Sequence, residues 1–129
     1  MPDTAVVADA EAAIRAAAIA YCEALHRADA AAVAEVFHEA SHLYTVTGEG
    51  ALIDWPRPVF LERVGGRAPA DGTPDYTIDA ITVTGEMALV RLHVQVGERR
   101  FEDHLNFLLV EGTWRMIAKI CRVADGPAL

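Results

Sequence analysis

The stretch of residues 101–120 reads FEDHLNFLLVEGTWRMIAKI and has the pattern of two strands joined by a tight turn. Apolar side chains alternate on both sides of Glu111-Gly112, and a two-residue connection that contains glycine is typical of a β-hairpin. This turn places Asp103 opposite Ile120, and residues that pair directly share one face of a sheet. The hairpin therefore predicts an antiparallel sheet with one strongly apolar face.

Further turns that contain glycine extend this hairpin into a meander. Strands are predicted over residues 76–84, 87–96, 101–110 and 113–123. A turn at residues 97–100 places Val94 opposite Asp103, and Asp79 of the first of these strands falls on the same face. All the turns agree on which residues form the apolar face, so this face is expected to be covered by helices.

The first half of the chain has mainly helical periodicity. Helices are predicted over residues 10–27 and 30–37, followed by a strand over residues 42–46 and a third helix entered at residues 54–58. Asp9 and Asp29 are the expected N-caps of the first two helices, and Gly65-Gly66 ends the third. Helices followed by an antiparallel meander indicate the α+β class.

Length and composition limit the classes of partner. The chain has 129 residues, 53% of them hydrophobic, and a formal net charge of −8. This length suits a single domain over residues 1–129, and the acidic balance argues against nucleic acid or an anionic membrane as a partner.

Cys22 and Cys121 lack metal-ligand spacing and are expected as free thiols on opposite sides of the sheet. No secretion signal is evident, so a cytoplasmic location is predicted.

The closing hairpin resembles that of the putative lumazine-binding proteins, a branch of the nuclear transport factor 2-like class near the polyketide-cyclase-like proteins. The matching residues are Asp103, Leu105, Asn106, Gly112, Trp114, Lys119 and Ile120. Met116 stands where isoleucine is usual, and Ala118 where asparagine is common. The resemblance implies a cone-shaped, curved sheet wrapped around N-terminal helices, a cavity on the concave side, and homodimers. Members of the class include enzymes, binding modules and scaffolds.

Asp103 is the strongest candidate for a functional residue. It is an acidic side chain on an otherwise apolar face, near Val94 and Leu105. A carboxyl group in that position suits a general acid or base at the polar end of a pocket. The alternative is an ion pair with Arg122, one step along the next strand. Asp79 is expected at the solvated rim of the same face.

Tyr21 and His42 are further catalytic candidates. Tyr21 lies on the buried stripe of the first helix, where a phenol could donate to a substrate carbonyl and stabilise an enolate. A core tyrosine bonded to the backbone is the alternative. His42 follows the second helix and could assist Asp103 if the parity of its strand turns it towards the cavity.

The walls of an apolar pocket are predicted from residues on the apolar face and beside its mouth. They are Trp55, Phe60, Val90, Leu92, Leu105, Phe107, Trp114 and Met116. Such walls suit a small apolar or aromatic ligand. His93, His104 and Glu102 lie on the opposite face without a recognised zinc spacing, so neither a metal nor a cofactor is predicted.

The opposite face mixes apolar and polar side chains. The register places there Leu89, Leu108, Val110, Ile117, His93, His104, Asn106, Lys119 and Cys121. Such a composition suits a subunit interface, and a homodimer across this face is predicted.

Three functions remain open from the sequence. The first is a small-molecule-binding domain with Asp103 at the polar end of an apolar pocket. The second is a cofactor-free lyase, cyclase or isomerase that moves protons through Asp103 with help from Tyr21 or His42. The third is a structural or dimerisation domain whose pocket is filled by its own side chains.

Overall fold

The computed structural model describes residues 4–129, with three helices and six strands in that range. In chain order these are α1 (Thr4–Arg27), α2 (Ala30–Val36), β1 (Phe37–Val46), β2 (Leu52–Pro56), α3 (Arg57–Gly65), β3 (Tyr76–Thr84), β4 (Met87–Val96), β5 (Arg99–Val110) and β6 (Thr113–Asp125). The α+β class is confirmed.

The strands form one curved, open sheet in the order β2-β1-β6-β5-β4-β3. All neighbouring strands are antiparallel except β1 and β6, which run parallel. Two features differ from the expectation. β1 begins at Phe37 instead of His42, and the third helix begins at Arg57 instead of Asp54, because residues 52–56 form the edge strand β2. Because α2 and β1 follow each other without a loop, β1 starts directly beneath the helices.

Helix α1 packs over β3 and β4, and α3 packs over β1 and β2. The side of the sheet under the helices, which carries Val90, Leu92, Leu105 and Phe107, is called the inner face below. These four side chains are at most 1% exposed. The side that carries Arg91, His104, Asn106 and Leu108 is called the outer face.

The helix boundaries follow capping chemistry in part. The Asp29 carboxylate accepts a hydrogen bond from the Ala32 amide at 3.1 Å, so its predicted role as N-cap of α2 is confirmed. Asp9 is not a cap, because α1 already begins at Thr4 and includes Asp9. Gly66 caps α3 as expected, and its N–H bonds to carbonyls of the last turn.

The turn between β4 and β5 is tighter than expected. Val96 pairs with Arg99, so the connection has two residues instead of four, and Leu92 rather than Val94 lies opposite Asp103. This shift moves β5 by two positions along β4. Because side chains alternate with a period of two, every β5 residue keeps its predicted face.

A β-bulge in β6 has the larger consequence. Phe107 pairs with Met116 as predicted, but Asn106 pairs with Ala118, so Ile117 is an extra residue in β6. An extra residue reverses the faces of everything beyond it. Cys121, not Ile120, therefore pairs with Asp103.

The residues beyond this bulge exchange faces relative to the prediction. Lys119 and Cys121 turn to the inner face and are buried, whereas Ile120 turns outward and is 54% exposed. Both thiols are free, as predicted. The prediction that the two cysteines lie on opposite sides of the sheet is wrong, since Cys121 does not lie on the outer face.

A second bulge, in β3 between Ile78 and Ala80, has the same kind of effect. It moves Asp79 from the inner face, where it was predicted, to the outer face. There the Asp79 carboxylate lies 2.6 Å from Nδ1 of His93.

Within residues 4–129, no helix combines the length and the apolar character needed to cross a membrane.

Candidate functional site

Three polar side chains meet in the interior beneath α1. Tyr21 of α1 donates its hydroxyl proton to Oδ2 of Asp103 on β5 at 2.8 Å. The ammonium of Lys119 on β6 donates to the Tyr21 hydroxyl and lies 3.4 Å from the same Asp103 oxygen. The Asp103 and Lys119 side chains are 0% and 6% exposed. We call Asp103, Tyr21 and Lys119 the polar triad.

Local structure explains why these three groups meet. Asp103 pairs with Cys121, so Lys119 is its diagonal neighbour on the inner face, within reach of a long side chain. Tyr21 falls on the stripe of α1 that faces the sheet, and its ring stacks on Phe37 with centroids 5.5 Å apart. The β6 bulge is therefore the feature that brings Lys119 to Asp103.

A cavity of about 550 Å³ opens beside the triad. Its apolar lining comes from Leu25, Leu43, Trp55, Phe60, Val96, Phe101, Cys121 and Leu129. Lys119 is the triad member that reaches the cavity, and its amine lies 4.8 Å from the centroid of the Phe60 ring. Asp103 and Tyr21 lie behind it and do not contribute to the lining. The cavity is thus a mainly apolar chamber with Lys119 in its wall, and the Lys119 amine lies beside the lining ring of Phe60.

Positive charge surrounds the mouth of the cavity. Arg63, Arg67 and Arg99 line it together with a single acidic residue, Glu98. The guanidinium of Arg63 lies over the Trp55 ring, 4.3 Å from its centroid. None of the three arginines has a salt-bridge partner within residues 4–129. Among these lining residues, basic side chains therefore outnumber acidic ones.

The last residues of the chain lie at this mouth. Arg99 donates hydrogen bonds to the carbonyls of Pro127, at 2.8 Å, and Ala128, at 3.2 Å. The Gly48 amide bonds to the carbonyl of Leu129, whose side chain lines the cavity. Leu129 therefore forms part of the cavity wall, and the bonds to Arg99 and Gly48 hold residues 127–129 in place beside it.

Burial raises the pKa values of the phenol and the two thiols in and near the triad. Desolvation, reinforced by the charge of Asp103, raises the pKa of Tyr21 well above 10.0 and that of Cys22 to about 12. Desolvation also raises the pKa of Cys121 above 9.0. Tyr21 therefore stays a neutral hydrogen-bonding group, and neither thiol is an activated nucleophile.

The predicted catalytic residues separate into two groups. Asp103 and Tyr21 come into direct contact, although the predicted partner Arg122 does not, because it lies beyond the β6 bulge and bonds to Glu102 at 3.2 Å. His42 does not join them. It pairs with Ala118 on the outer face, and its Nδ1 lies 2.6 Å from the Asp54 carboxylate.

Two of the eight predicted wall residues, Trp55 and Phe60, line the cavity. The other six lie elsewhere in the core: Val90, Leu92, Leu105, Phe107 and Met116 are at most 1% exposed, and Trp114 packs against them while partly exposed. The physical reason is that α1 packs on this half of the inner face and covers these side chains. The open half lies under α3, towards β1 and β2.

The outer face carries a separate polar cluster. His93 lies between the carboxylates of Asp79 and Glu102, and Glu102 also bonds to Arg122. His104 is not joined to this cluster by any hydrogen bond or salt bridge within residues 4–129. In that same range no group of three or more histidine, cysteine or acidic side chains is arranged so that it could hold a metal ion.

Lys119 is the residue that analysis of the sequence missed. It is the single lysine of the chain and belongs to the hairpin pattern quoted above, but strict alternation placed it on the outer face. The adjacent apolar residues Met116 and Ile117 interrupt the alternation of β6. Such an interruption is the one local signal that could have indicated a bulge.

Comparisons with known proteins agree with this architecture. The family described as "Putative lumazine-binding" matches residues 9–122. None of the curated proteins matches the chain.

Solved structures of similar proteins cover nearly the whole chain. An NTF-2 like protein of unknown function from Silicibacter pomeroyi is 28% identical, with a TM-score of 0.84, over 91% of this chain and 98% of that one. An NTF2-like protein of unknown function from Shewanella baltica is 22% identical, with a TM-score of 0.86, over 92% and 97%. A putative dehydratase of the NTF2-like family from Streptomyces avermitilis is 13% identical, with a TM-score of 0.66, over 92% and 98%. The last two likenesses concern the fold alone.

The buried thiol of Cys22 predicts a loss of stability in alkali. The unfolded chain releases this proton near pH 9.0 and the folded chain only near pH 12, so the free energy of unfolding falls as the pH rises between these values. Urea unfolding under reducing conditions should show a shallower decline for Cys22→Ala than for the unchanged protein. Equal slopes for the two proteins over this interval would contradict the assignment.

Proposed function

The chain belongs to the Putative lumazine-binding family of nuclear transport factor 2-like proteins, and we propose that its cavity binds a small aromatic molecule that carries an anionic or carbonyl oxygen. The observation that carries this proposal is the position of Lys119, a buried basic residue in the wall of a mainly apolar chamber. The ring system would lie against Trp55 and Phe60, and the oxygen would accept a hydrogen bond from Lys119.

The energetics favour this orientation of the ligand. A lysine ammonium has three N–H donors, and in the polar triad one bonds to Tyr21 while Asp103 provides the opposite charge. A donor therefore remains for a ligand. A hydrogen bond to a charged group contributes about 1.5–3 kcal/mol, which is a tenfold or larger gain in affinity. The arginines at the mouth attract the same kind of ligand.

The family's description supports this choice of chemistry, since lumazine is a flat heteroaromatic molecule with carbonyl oxygens. The size of the cavity, about 550 Å³, is within the usual range for small-molecule sites. A purely structural domain, with its pocket filled by its own side chains, fits this chamber less well. In the proposed site Asp103 and Tyr21 position Lys119 and do not touch the ligand.

A matched pair of probes tests the proposal. 2-Naphthoate and 2-naphthamide share one ring system and differ in the charge of the head group. Calorimetry should show that the naphthoate binds about tenfold or more tightly than the amide, and that Lys119→Met lowers this preference about tenfold. Arg122→Met, which removes an exposed cation that is 66% accessible and paired with Glu102, should leave both affinities unchanged.

Two further variants complete this experiment. Trp55→Ala should weaken both probes equally, because it removes wall area and leaves the anchor in place. The double variant Lys119→Met/Asp103→Asn avoids a lone buried carboxylate and serves if the single variant does not fold. Binding of neither probe, or a preference for the naphthoate that the loss of Lys119 leaves undiminished, would refute the proposed site.

We also propose that two copies of the chain associate through the outer face. The β6 bulge adds Ile120 to this surface, where it lies between His104 and Tyr44 on the neighbouring strands. Ile120 is 54% and Leu108 40% exposed, so the face presents apolar side chains among polar ones. A self-complementary contact would cover them.

The two unbonded thiols suit a reducing compartment, and the cytoplasm is the proposed location.

Light scattering tests the proposed dimer. At micromolar concentration the mass should be about twice 13.9 kDa, and Ile120→Glu should reduce it to that of one chain. Val59→Glu is the matched control, since Val59 is an exposed apolar residue, 38% accessible, on α3 and away from the outer face. A monomer of the unchanged protein, or a dimer insensitive to Ile120→Glu, would contradict the proposal.

A further inference from the structure

We propose that Lys119 forms a reversible imine with aromatic aldehydes and ketones that enter the cavity. The inference rests on the proposed binding function and adds a covalent step to it. Its starting point is the composition of the polar triad: a primary amine in the cavity wall, a carboxylate 3.4 Å from that amine, and a phenol hydrogen-bonded to both. Imine formation needs a nucleophile and is assisted by groups that accept, donate or relay protons, and these three side chains are of those kinds.

The surroundings of the amine separate it from bulk water. The Lys119 side chain is 6% exposed, and its nitrogen lies 4.8 Å from the Phe60 centroid and 5.1 Å from the Tyr21 centroid. An amine in such a site is hydrated less than one on the surface, which removes part of the barrier to nucleophilic attack. The limited access of water also slows hydrolysis of the imine.

The reaction balances with the groups that are present. The Lys119 ammonium transfers one proton to Asp103, directly or through Tyr21, and the neutral amine attacks the carbonyl carbon. The nitrogen–carbon bond forms as the carbon–oxygen π bond breaks, and the oxygen takes the proton that the attacking nitrogen loses, which gives a neutral carbinolamine. Asp103 then returns its proton, directly or through Tyr21, to the hydroxyl group, which leaves as water. The carbon–oxygen bond breaks, the nitrogen lone pair forms the new double bond, and the products are a protonated imine and the Asp103 carboxylate. Both routes lead to Oδ2 of Asp103, which is the oxygen that contacts Tyr21 and lies nearest to the Lys119 amine.

The electrostatics of the site favour the protonated imine as the product. Its positive charge lies where the ammonium charge lay, so the Asp103 carboxylate and the faces of the Phe60 and Tyr21 rings stabilise it in the same way. No charge is created or lost in the interior between the resting and the final state. The carbonyl compounds selected would be flat and apolar, because the cavity walls are apolar.

The chain offers a direct test because Lys119 is its single lysine. 2-Naphthaldehyde has the ring system of the two binding probes. The protein would be mixed with this aldehyde, sodium cyanoborohydride and an unstructured peptide that contains one lysine, and peptide mass mapping would locate and count the adducts. Lys119 should be labelled at least about tenfold faster than the lysine of the reference peptide. Labelling at or below the rate of the reference peptide would overturn the inference.

Variants and a competitor separate this inference from the binding proposal. Excess 2-naphthoate should suppress labelling of Lys119, and Asp103→Asn should slow it about tenfold or more through loss of the proton acceptor. Undiminished labelling in either experiment would contradict the mechanism. If naphthoate binds as proposed but Lys119 is not labelled, the imine alone is refuted. If neither probe binds and no adduct forms, the proposed function fails as well.

Discussion

The ion pair between Asp103 and Lys119, bridged by the hydroxyl of Tyr21, is the interaction on which the interior of this protein depends. It joins β5, β6 and α1 at a point where all three side chains are almost completely removed from water. Burial of two charges is unfavourable unless each remains paired and hydrogen-bonded. The position of α1 over the sheet must therefore both bury its apolar stripe and keep Tyr21 hydrogen-bonded to Asp103 and Lys119. An apolar helix stripe alone would tolerate small shifts along the sheet, whereas a hydrogen bond of 2.8 Å between Tyr21 and Asp103 does not.

Much of the fold could be predicted because it depends on periodicity and turns. Short-range sequence signals predict the hairpin at Glu111-Gly112, the α+β class and the capping role of Asp29. The β4–β5 turn is two residues shorter than predicted, but the assignment of β5 residues to the two faces is still correct, because a shift by an even number of residues preserves the faces. The bulges were not predictable in the same way. An extra residue at Ile117 is selected by packing across the sheet, and the sequence around it shows only a short interruption of the alternation.

That one bulge accounts for most of what the sequence could not show about the site. It turns Lys119 inward to Asp103, turns Ile120 outward, and removes Arg122 from the neighbourhood of the carboxylate. Asp103 and Tyr21 were recognised because an acid and a phenol on an apolar surface are unusual wherever they occur. The sequence predicted that Asp103 and Tyr21 would contact a ligand. In the structure both lie behind Lys119, which is the triad member that lines the cavity. The location of the cavity depends on which half of the sheet α1 covers, and this is a property of tertiary packing alone.

The central claim is that Asp103 and Lys119 form one energetic unit, and a double-mutant cycle in urea unfolding tests it most directly. Asp103→Asn and Lys119→Met should each lower the free energy of unfolding by about 3–5 kcal/mol, because each leaves an unpaired charge in the interior. The double variant removes both charges, so its loss should fall short of the sum of the single losses by about 2 kcal/mol or more. Losses that add to within about 0.5 kcal/mol would contradict the account, because they would show that the two side chains do not interact in the folded protein.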